Sequence, residues 1–532
     1  MIILIKIRQL NELNSLTKQW KLIFVLLLFV NSVSFSQFQN IKIGTYNSYS
    51  PQEPTIVLDP KNTNNILVAA NTDLYYYSTN GGFNWTRGII NSNYGIAGDP
   101  CVIIDSSSNY YHFHLVPDLT KVVCQKASSL GSVWSNGTYT GVNGTKDNDK
   151  EWAAVDRKTN FLYVSWAQFD QHGSMSTSDS TSIQFSRSTN QGLSWTTQTR
   201  LNKRNGNAQG GNLSCHAPMP AVGPNGDVYV TWMGPLGLMI DISHDYGVTW
   251  LDEDIKVTPS RVNWLVFNIP GIQRAPGFPI INCDLSNSLY SGNIYICWAD
   301  QRNGSNNTDI WVVKSTDGGY LWSSPKKVNN DQYTRHQFFP WMTIDQATGY
   351  LYFIFYDRRN YTDSKTDVYM AVSKDGAETF ENIKISETPF TPSQSVFLGD
   401  YIGITAYNNV IRPVWTRLDN GTLSLYTAII NSVSNVDENP ELVLPDDFIL
   451  SSAYPNPFNP STTIKYKIKK PGMVTLKAFD ISGKEVYTIV NSYQTAGEYK
   501  ILWNAEKLTS GVYLLNMRFN NLSKTIKTIL MK

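Results

Sequence analysis

The chain has 532 residues, with 44 Lys+Arg against 43 Asp+Glu and a net charge of +1. That balance leaves no global field for nucleic acid or an anionic membrane surface. Only 16% of residues are charged while 13% are aromatic, which excludes a disordered chain; 35 Gly and 24 Pro favour short strands and turns. The length allows two to four domains.

Residues 1–36 read as an export signal. Lys6, Arg8, Lys18 and Lys21 form a basic start, Leu22 to Val30 is an unbroken apolar run, and Ser34 and Ser36 suit cleavage before Gln37. The run is about half of the roughly 20 residues a spanning helix needs. No other stretch is long enough, so the mature chain is expected to lack a transmembrane segment. The five cysteines, Cys101, Cys124, Cys215, Cys283 and Cys297, show no C-x-x-C pair. They read as small buried residues, with a Cys283–Cys297 bridge across one hairpin left open.

From residue 37 to 432 the chain repeats. Five segments share Ser-x-(Asp/Asn)-x-Gly-x-x-(Trp/Phe): Ser78–Trp85, Ser188–Trp195, Ser243–Trp250, Ser315–Trp322 and Ser373–Phe380, the last with Ala377 in the Gly position. A degenerate sixth is Ala127–Trp134. Each reads as a hairpin turn. The Asx side chain accepts backbone N–H bonds, the Gly supplies a positive φ, and the terminal ring buries against a neighbouring sheet. An inner strand precedes each turn (PTIVLD, PCVIID, EWAAVD, PWMTID), followed by a second (NILVAAN, FLYVSWAQFD, NIYICWAD, YLYFIFYD). Inner-strand starts fall near Glu53, Asp99, Glu151, His216, Arg274, His336 and Asp400. The last unit lacks a fourth strand, which the leading NIKIGTY segment is placed to supply. The expected fold is an all-β propeller over 37–432, seven blades rather than six.

The repeated words resemble the Asp-box, or BNR repeat, of sialidases and related propellers. The motif is a staple between the third and fourth strands of a blade, so it speaks for fold rather than chemistry. In such folds the inner-strand starts and the second-to-third strand loops meet at one mouth. That gathers Glu53, Asp99, Asp149, Glu151, His216, Arg274, Arg335, His336, Asp400 and Tyr401, with Asp170, His172, Asp300, Arg302, Asp357, Arg358, Arg359 and Arg417 from the loops. Clustered Arg and aromatic groups suit an anionic sugar. The resemblance implies a Tyr nucleophile polarised by a Glu, an Asp acid/base and an Arg clamp, outside the usual two-carboxylate scheme. Mapped here, Tyr401 is the nucleophile, Glu151 its partner and Asp99 the acid. Arg274, Arg335 and Arg358 form the clamp with Arg302 as substitute, and His216, His336 and Asp400 complete the binding set. One departure stands out: sialidases carry an Arg-Ile-Pro word before the first box, and residues 37–77 contain no Arg. Gln273-Arg274-Ala275-Pro276 is the nearest echo.

Three functions follow as expectations: a propeller that binds extracellular glycans, an exo-sialidase or other glycoside hydrolase, and a lyase of acidic polysaccharides using His216, Tyr401 and Arg274 or Arg335. None calls for a cofactor. Asp147-Asn148-Asp149 alternates oxygen ligands but lacks the Gly and distal Glu of a calcium loop, so no metal is expected. His112 and His114 alternate with aromatic residues on one strand and read as strand-face residues.

Residues 433–449 are acidic and Pro-containing, as a linker is. Beyond them come YPNPFNPSTTI (454–464), Asp480–Val486, Ser510–Tyr513 and a Lys-rich last strand, within alternating strands that suit a small Ig-like β-sandwich over 450–532. These pieces resemble the type A sorting domain of the type IX secretion system. The resemblance implies partnership with that machinery and a secreted or cell-surface protein, expected to be monomeric.

Overall fold

The computed structural model describes residues 38–47, 50–209, 213–259, 267–332, 334–431, 448–450, 453–468, 470–481, 483–519 and 522–532. The expected signal peptide and residues 433–447 of the expected linker lie outside them. The described chain forms two compact units, one ending at Ser432 and one carrying the C-terminal hundred residues. It contains no α-helix.

The first unit is a set of seven antiparallel sheets. Their innermost strands are Gln52–Asp59, Gly98–Ile104, Asp147–Asp156, His216–Val222, Ile280–Cys283, Gln337–Ile344 and Gly403–Tyr407. Each packs against the inner strands of the sheets before and after it, and the last packs on the first. This closed circuit of sheets is the propeller. The first six sheets run inward to outward in chain order. The seventh is completed by Asn40–Gly44, which pairs antiparallel with Thr422–Ala428. The N-terminal strand thus closes the ring, as the missing fourth strand required.

Three inner strands begin elsewhere than expected. The fifth starts at Ile280 rather than Arg274, because Pro276 and Pro279 cannot donate ladder hydrogen bonds. The third starts earlier, at Asp147, and the seventh later, at Gly403.

The repeated turns share one geometry. Ser78, Ser188, Ser243, Ser315 and Ser373 each donate from Oγ to the Asx two residues on, at 2.8–2.9 Å. Each Oγ also accepts the N–H four residues on, at 2.8–2.9 Å. That fourth residue is left-handed in all five, including Ala377 at φ 66. The residue before it is left-handed as well, even where it is Gln191 or Tyr246. The sixth turn has Ala127 in place of Ser and holds itself differently, through Ser129 and Ser132. The turn rings reach back to the preceding sheet: Trp134 meets Tyr75, Trp195 meets Phe113 and Trp250 meets Phe185, at centroid separations of 5.9, 5.8 and 4.8 Å.

All five cysteines are buried free thiols. A Cys283–Cys297 bridge is ruled out by register: Cys283 faces Ile294 and Cys297 faces Ile280.

In the second unit, Phe448–Leu450, Ser461–Ile468 and Gly497–Asn504 form one sheet, and Glu485–Gln494, Gly472–Phe479, Gly511–Phe519 and Leu522–Leu530 another. Alternate residues of both, including Ile464, Tyr466, Leu476, Trp503 and Leu515, share one core. This is the small sandwich that the period-two pattern implies.

Candidate functional site

Five inner strands break register just after they begin, between Gln52 and Thr55, Gly98 and Cys101, Asp149 and Trp152, His216 and Met219, and Phe338 and Trp341. In each bulge a non-glycine residue is left-handed: Glu53, Asp99, Lys150, Ala217 and Phe339, at φ 49–54. A bulge re-aims a side chain that regular pleating would send to the other face. The left-handed backbone costs about 1–2 kcal/mol at each. Three of the five re-aimed side chains are charged, and they meet.

Lys150 is their centre. Its ammonium lies 2.8 Å from Asp99 Oδ1, 3.1 Å from Glu53 Oε1 and 3.2 Å from Asp400 Oδ2. Burial works against the charge, but Asp99, Glu53 and Asp400 outweigh it and raise the Lys150 pKa well above the lysine range. Three carboxylates around one ammonium cannot all be matched. Burial, with Asp99 and Asp400 adding to it, raises Glu53 above the usual carboxylate range despite Lys150. Asn71 ties the group together: its Nδ2 donates to Glu53 and its Oδ1 accepts the Asp99 N–H. Arg274 grips Asp400 bidentately through Nε, at 2.7 Å, and Nη2.

Asp149 lies beside this cluster, 3.1 Å from His216 Nε2 and 3.5 Å from His172 Nε2. Burial would raise its pKa; the His172 and His216 hydrogen bonds reverse that and hold it well below the ordinary value. The ring of His216 stacks on Phe278.

Glu151 and Tyr401 are sealed rather than open. Tyr401 is 4% exposed, against Trp152 at 5.5 Å and Trp341 at 6.0 Å. Its hydroxyl and both Glu151 oxygens have no hydrogen-bond partner among the described residues. Burial, then Asp99, raises Glu151 well above the carboxylate range; burial, then Glu53, raises Tyr401. Both residues line one cavity of about 30 Å³ with Lys150, Phe278 and Trp341. That is room for a water, not a sugar ring.

The fold therefore brings together Asp99, Glu151, Tyr401, His216, Arg274 and Asp400 of the expected set. The other four have their own partners. Arg302 folds back on Asp300 and lies over Trp311 at 4.4 Å. Arg335 donates to the Tyr361 and Thr334 carbonyls. Arg358 donates to Thr366 Oγ1 at 3.0 Å and the Pro270 carbonyl at 2.8 Å. His336 meets Thr308 Oγ1 at 3.0 Å, and burial followed by Arg358 and Arg335 lowers its pKa to about 4. No polar contact among the described residues links these four to the Lys150 cluster, so the expected clamp is not assembled as one group.

Lys150 itself escaped sequence reasoning. Strict alternation sends it to the face opposite Asp149 and Glu151; only the bulge turns it inward, and nothing in DNDKEW marks a bulge. Trp152 and Trp341 were visible only as strand residues.

Residues 452–532 match the family described as the secretion system C-terminal sorting domain. The chain therefore carries an export module of that kind. No curated protein matches the chain. Among solved structures, a fungal alcohol oxidase of the AA5 family in complex with copper is 11% identical, with 94% of this chain and 100% of that one covered and a TM-score of 0.46. An ulvan lyase of polysaccharide lyase family PL25 is 12% identical, covering 74% and 96%, with a TM-score of 0.45. A Trypanosoma rangeli sialidase in complex with 2,3-difluorosialic acid is 11% identical, covering 92% and 89%, at 0.37. At these values no residue role is transferred from them. No helix among the described residues is long and apolar enough to cross a membrane.

Proposed function

We propose that this chain is a type IX-exported β-propeller, released or held at the cell surface, whose first unit binds acidic extracellular glycans as a monomer. Export is supported by the sorting domain and by the signal-peptide reading of residues 1–36. The Asp-box reading of the repeated turns is supported by their shared serine–Asx bonding.

The observation that carries the glycan reading is Arg358. It is 3% exposed, has no carboxylate partner among the described residues, and leaves Nη2 without an acceptor. Asp363 attracts it but pairs with Lys365 at 3.4 Å. Arg335 is joined to it through Tyr361, which accepts from Arg335 Nε and donates its N–H to the Arg358 carbonyl. Elsewhere Arg274, Arg302 and Arg359 are each neutralised by an aspartate. Neither guanidinium has an acid among the described residues, and there a ligand carboxylate or sulfate would gain most, reaching the half-buried Arg335 directly and the buried Arg358 only once its cover moves.

The test is a titration of the full chain with uronate-rich and sulfated polysaccharides. Arg358→Met and Arg335→Gln are each expected to weaken binding at least tenfold. Arg335→Gln alters an arginine that is only half-buried and so guards against misfolding. Unchanged affinity in both variants would refute the assignment. Deleting 452–532 is expected to keep the protein from being released or displayed at the cell surface.

An exo-sialidase is the second reading, because Tyr401 and Glu151 share one cavity and their side-chain oxygens have no hydrogen-bond partner among the described residues. It requires the Trp152–Trp341 wall to open. Turnover of a fluorogenic sialoside, lost in Tyr401→Phe, would establish it.

A further inference from the structure

Below the sealed mouth the ring encloses a second, larger space of about 480 Å³. Trp152 and Trp341, with centroids 4.6 Å apart, line both cavities and so divide them. The large chamber runs from this aromatic wall toward the ends of the inner strands, past Ala154, Thr343 and Thr405, to Arg157, Lys158 and Leu285. Those last three are exposed, so the chamber opens on the face opposite the Lys150 cluster.

Its wall is chemically mixed in a specific way. All seven inner strands contribute consecutive residues to it, such as Trp152–Asp156 and Trp341–Ile344. Each inner strand is hydrogen-bonded to a neighbour on one side only. The wall is therefore made of free strand edges as well as side chains. Some edge groups are taken, the Met342 carbonyl by Asn282 Nδ2 and the Ile104 carbonyl by Arg157. So are the Val102 N–H, by Thr55 Oγ1, the Ala153 N–H, by Cys101 Sγ, and the Cys283 carbonyl, by Gln346 Nε2. The Thr343 and Thr405 hydroxyls, half-exposed on the chamber wall, have no partner among the described residues and are free to bond a ligand. An acyl chain would bury those hydroxyls unsatisfied. A polyhydroxylated ligand would satisfy them and set an apolar ring face against the tryptophans. The volume lies within the roughly 300–1,000 Å³ of small-ligand pockets.

We propose that this chamber is a second saccharide site, taking a neutral mono- or disaccharide unit that enters from the Lys158 face and rests on Trp341. It stands independently of the acidic-glycan site at Arg335 and Arg358.

The experiment titrates the full chain with cellobiose, maltose, mannobiose and N,N′-diacetylchitobiose, following ligand-observed saturation-transfer NMR and calorimetry. At least one is expected to bind with a Kd of millimolar or below. Ala154→Leu, which occupies the chamber, is expected to abolish the signal. Thr405→Val, which removes one hydroxyl at constant volume, is expected to weaken it about fivefold, and it decides the matter should Ala154→Leu misfold. Arg358→Met is expected to leave disaccharide binding intact. Absence of binding by all four sugars, or binding unchanged in folded Ala154→Leu and Thr405→Val, would overturn the chamber site and leave the Arg358 reading standing on its own titration.

Discussion

Lys150 shows how one residue can decide a site. Its ammonium is the shared counter-ion of Glu53, Asp99 and Asp400, each from a different inner strand or its approach. Lys150→Met is expected to cost about 3–5 kcal/mol at neutral pH, since it leaves buried carboxylates facing one another. Urea unfolding should show that penalty shrinking as the pH falls and Glu53, already held above the usual carboxylate range, takes up a proton. Two histidines should titrate in opposite senses. His172 has its pKa raised, by the Asp149 hydrogen bond against the opposing effect of burial. Its contribution to stability is therefore complete below pH 6.5 and is lost as the pH climbs through the raised value. His336, lowered to about 4, works the other way: its contribution is complete above 6.5 and fades as the pH falls toward 4. Ring-proton NMR of the two imidazoles checks both signs.

At the scale of the element, the turn between third and fourth strands was legible in its Asx, its glycine and its terminal ring. Two things were hidden: the serine Oγ that bonds both the Asx and the N–H four residues on, and the second left-handed residue, of which Gln191 and Tyr246 carry no mark. The fifth turn adds a prediction. Ala377 stands at φ 66 where four other turns have Gly. Ala377→Gly relieves a left-handed alanine, offset in part by unfolded-chain entropy, and should stabilise the propeller by about 0.5–1 kcal/mol in urea unfolding. The inner-strand bulges were the illegible counterpart. Proline and hydrophobic alternation marked the strands PTIVLD and PWMTID, but a bulge is a tertiary adjustment to the crowded axis and leaves no fixed residue behind.

For the molecule as a whole, ring closure rests on a short N-terminal strand. Asn40–Gly44 pairs with Thr422–Ala428, buries Ile43, and is tied to the sixth sheet through Asn40 and the Ile385 carbonyl. A chain beginning at residue 46 loses that ladder and that burial. It should be destabilised by about 3–4 kcal/mol. Scanning calorimetry should show the loss in the propeller transition alone, with the sorting unit melting unchanged.

Sequence alone determined the all-β class, the propeller, the closing strand, the repeated turns and the C-terminal sandwich. Each follows from local periodicity or from side-chain-to-backbone bonding within a few residues. It also placed Asp99, Glu151, His216, Arg274, Asp400 and Tyr401 at one mouth, since strand starts converge there whatever their neighbours. Tertiary structure decided what that convergence means. Bulges turned Lys150 inward, Asp400 neutralised Arg274, two tryptophans shut Tyr401 away, and Arg335 and Arg358 were left apart without acids. Which charges meet depends on contacts between residues up to 347 positions apart, such as Glu53 and Asp400. No local pattern records such a pairing, because its energy comes from burial that exists only once the ring has closed.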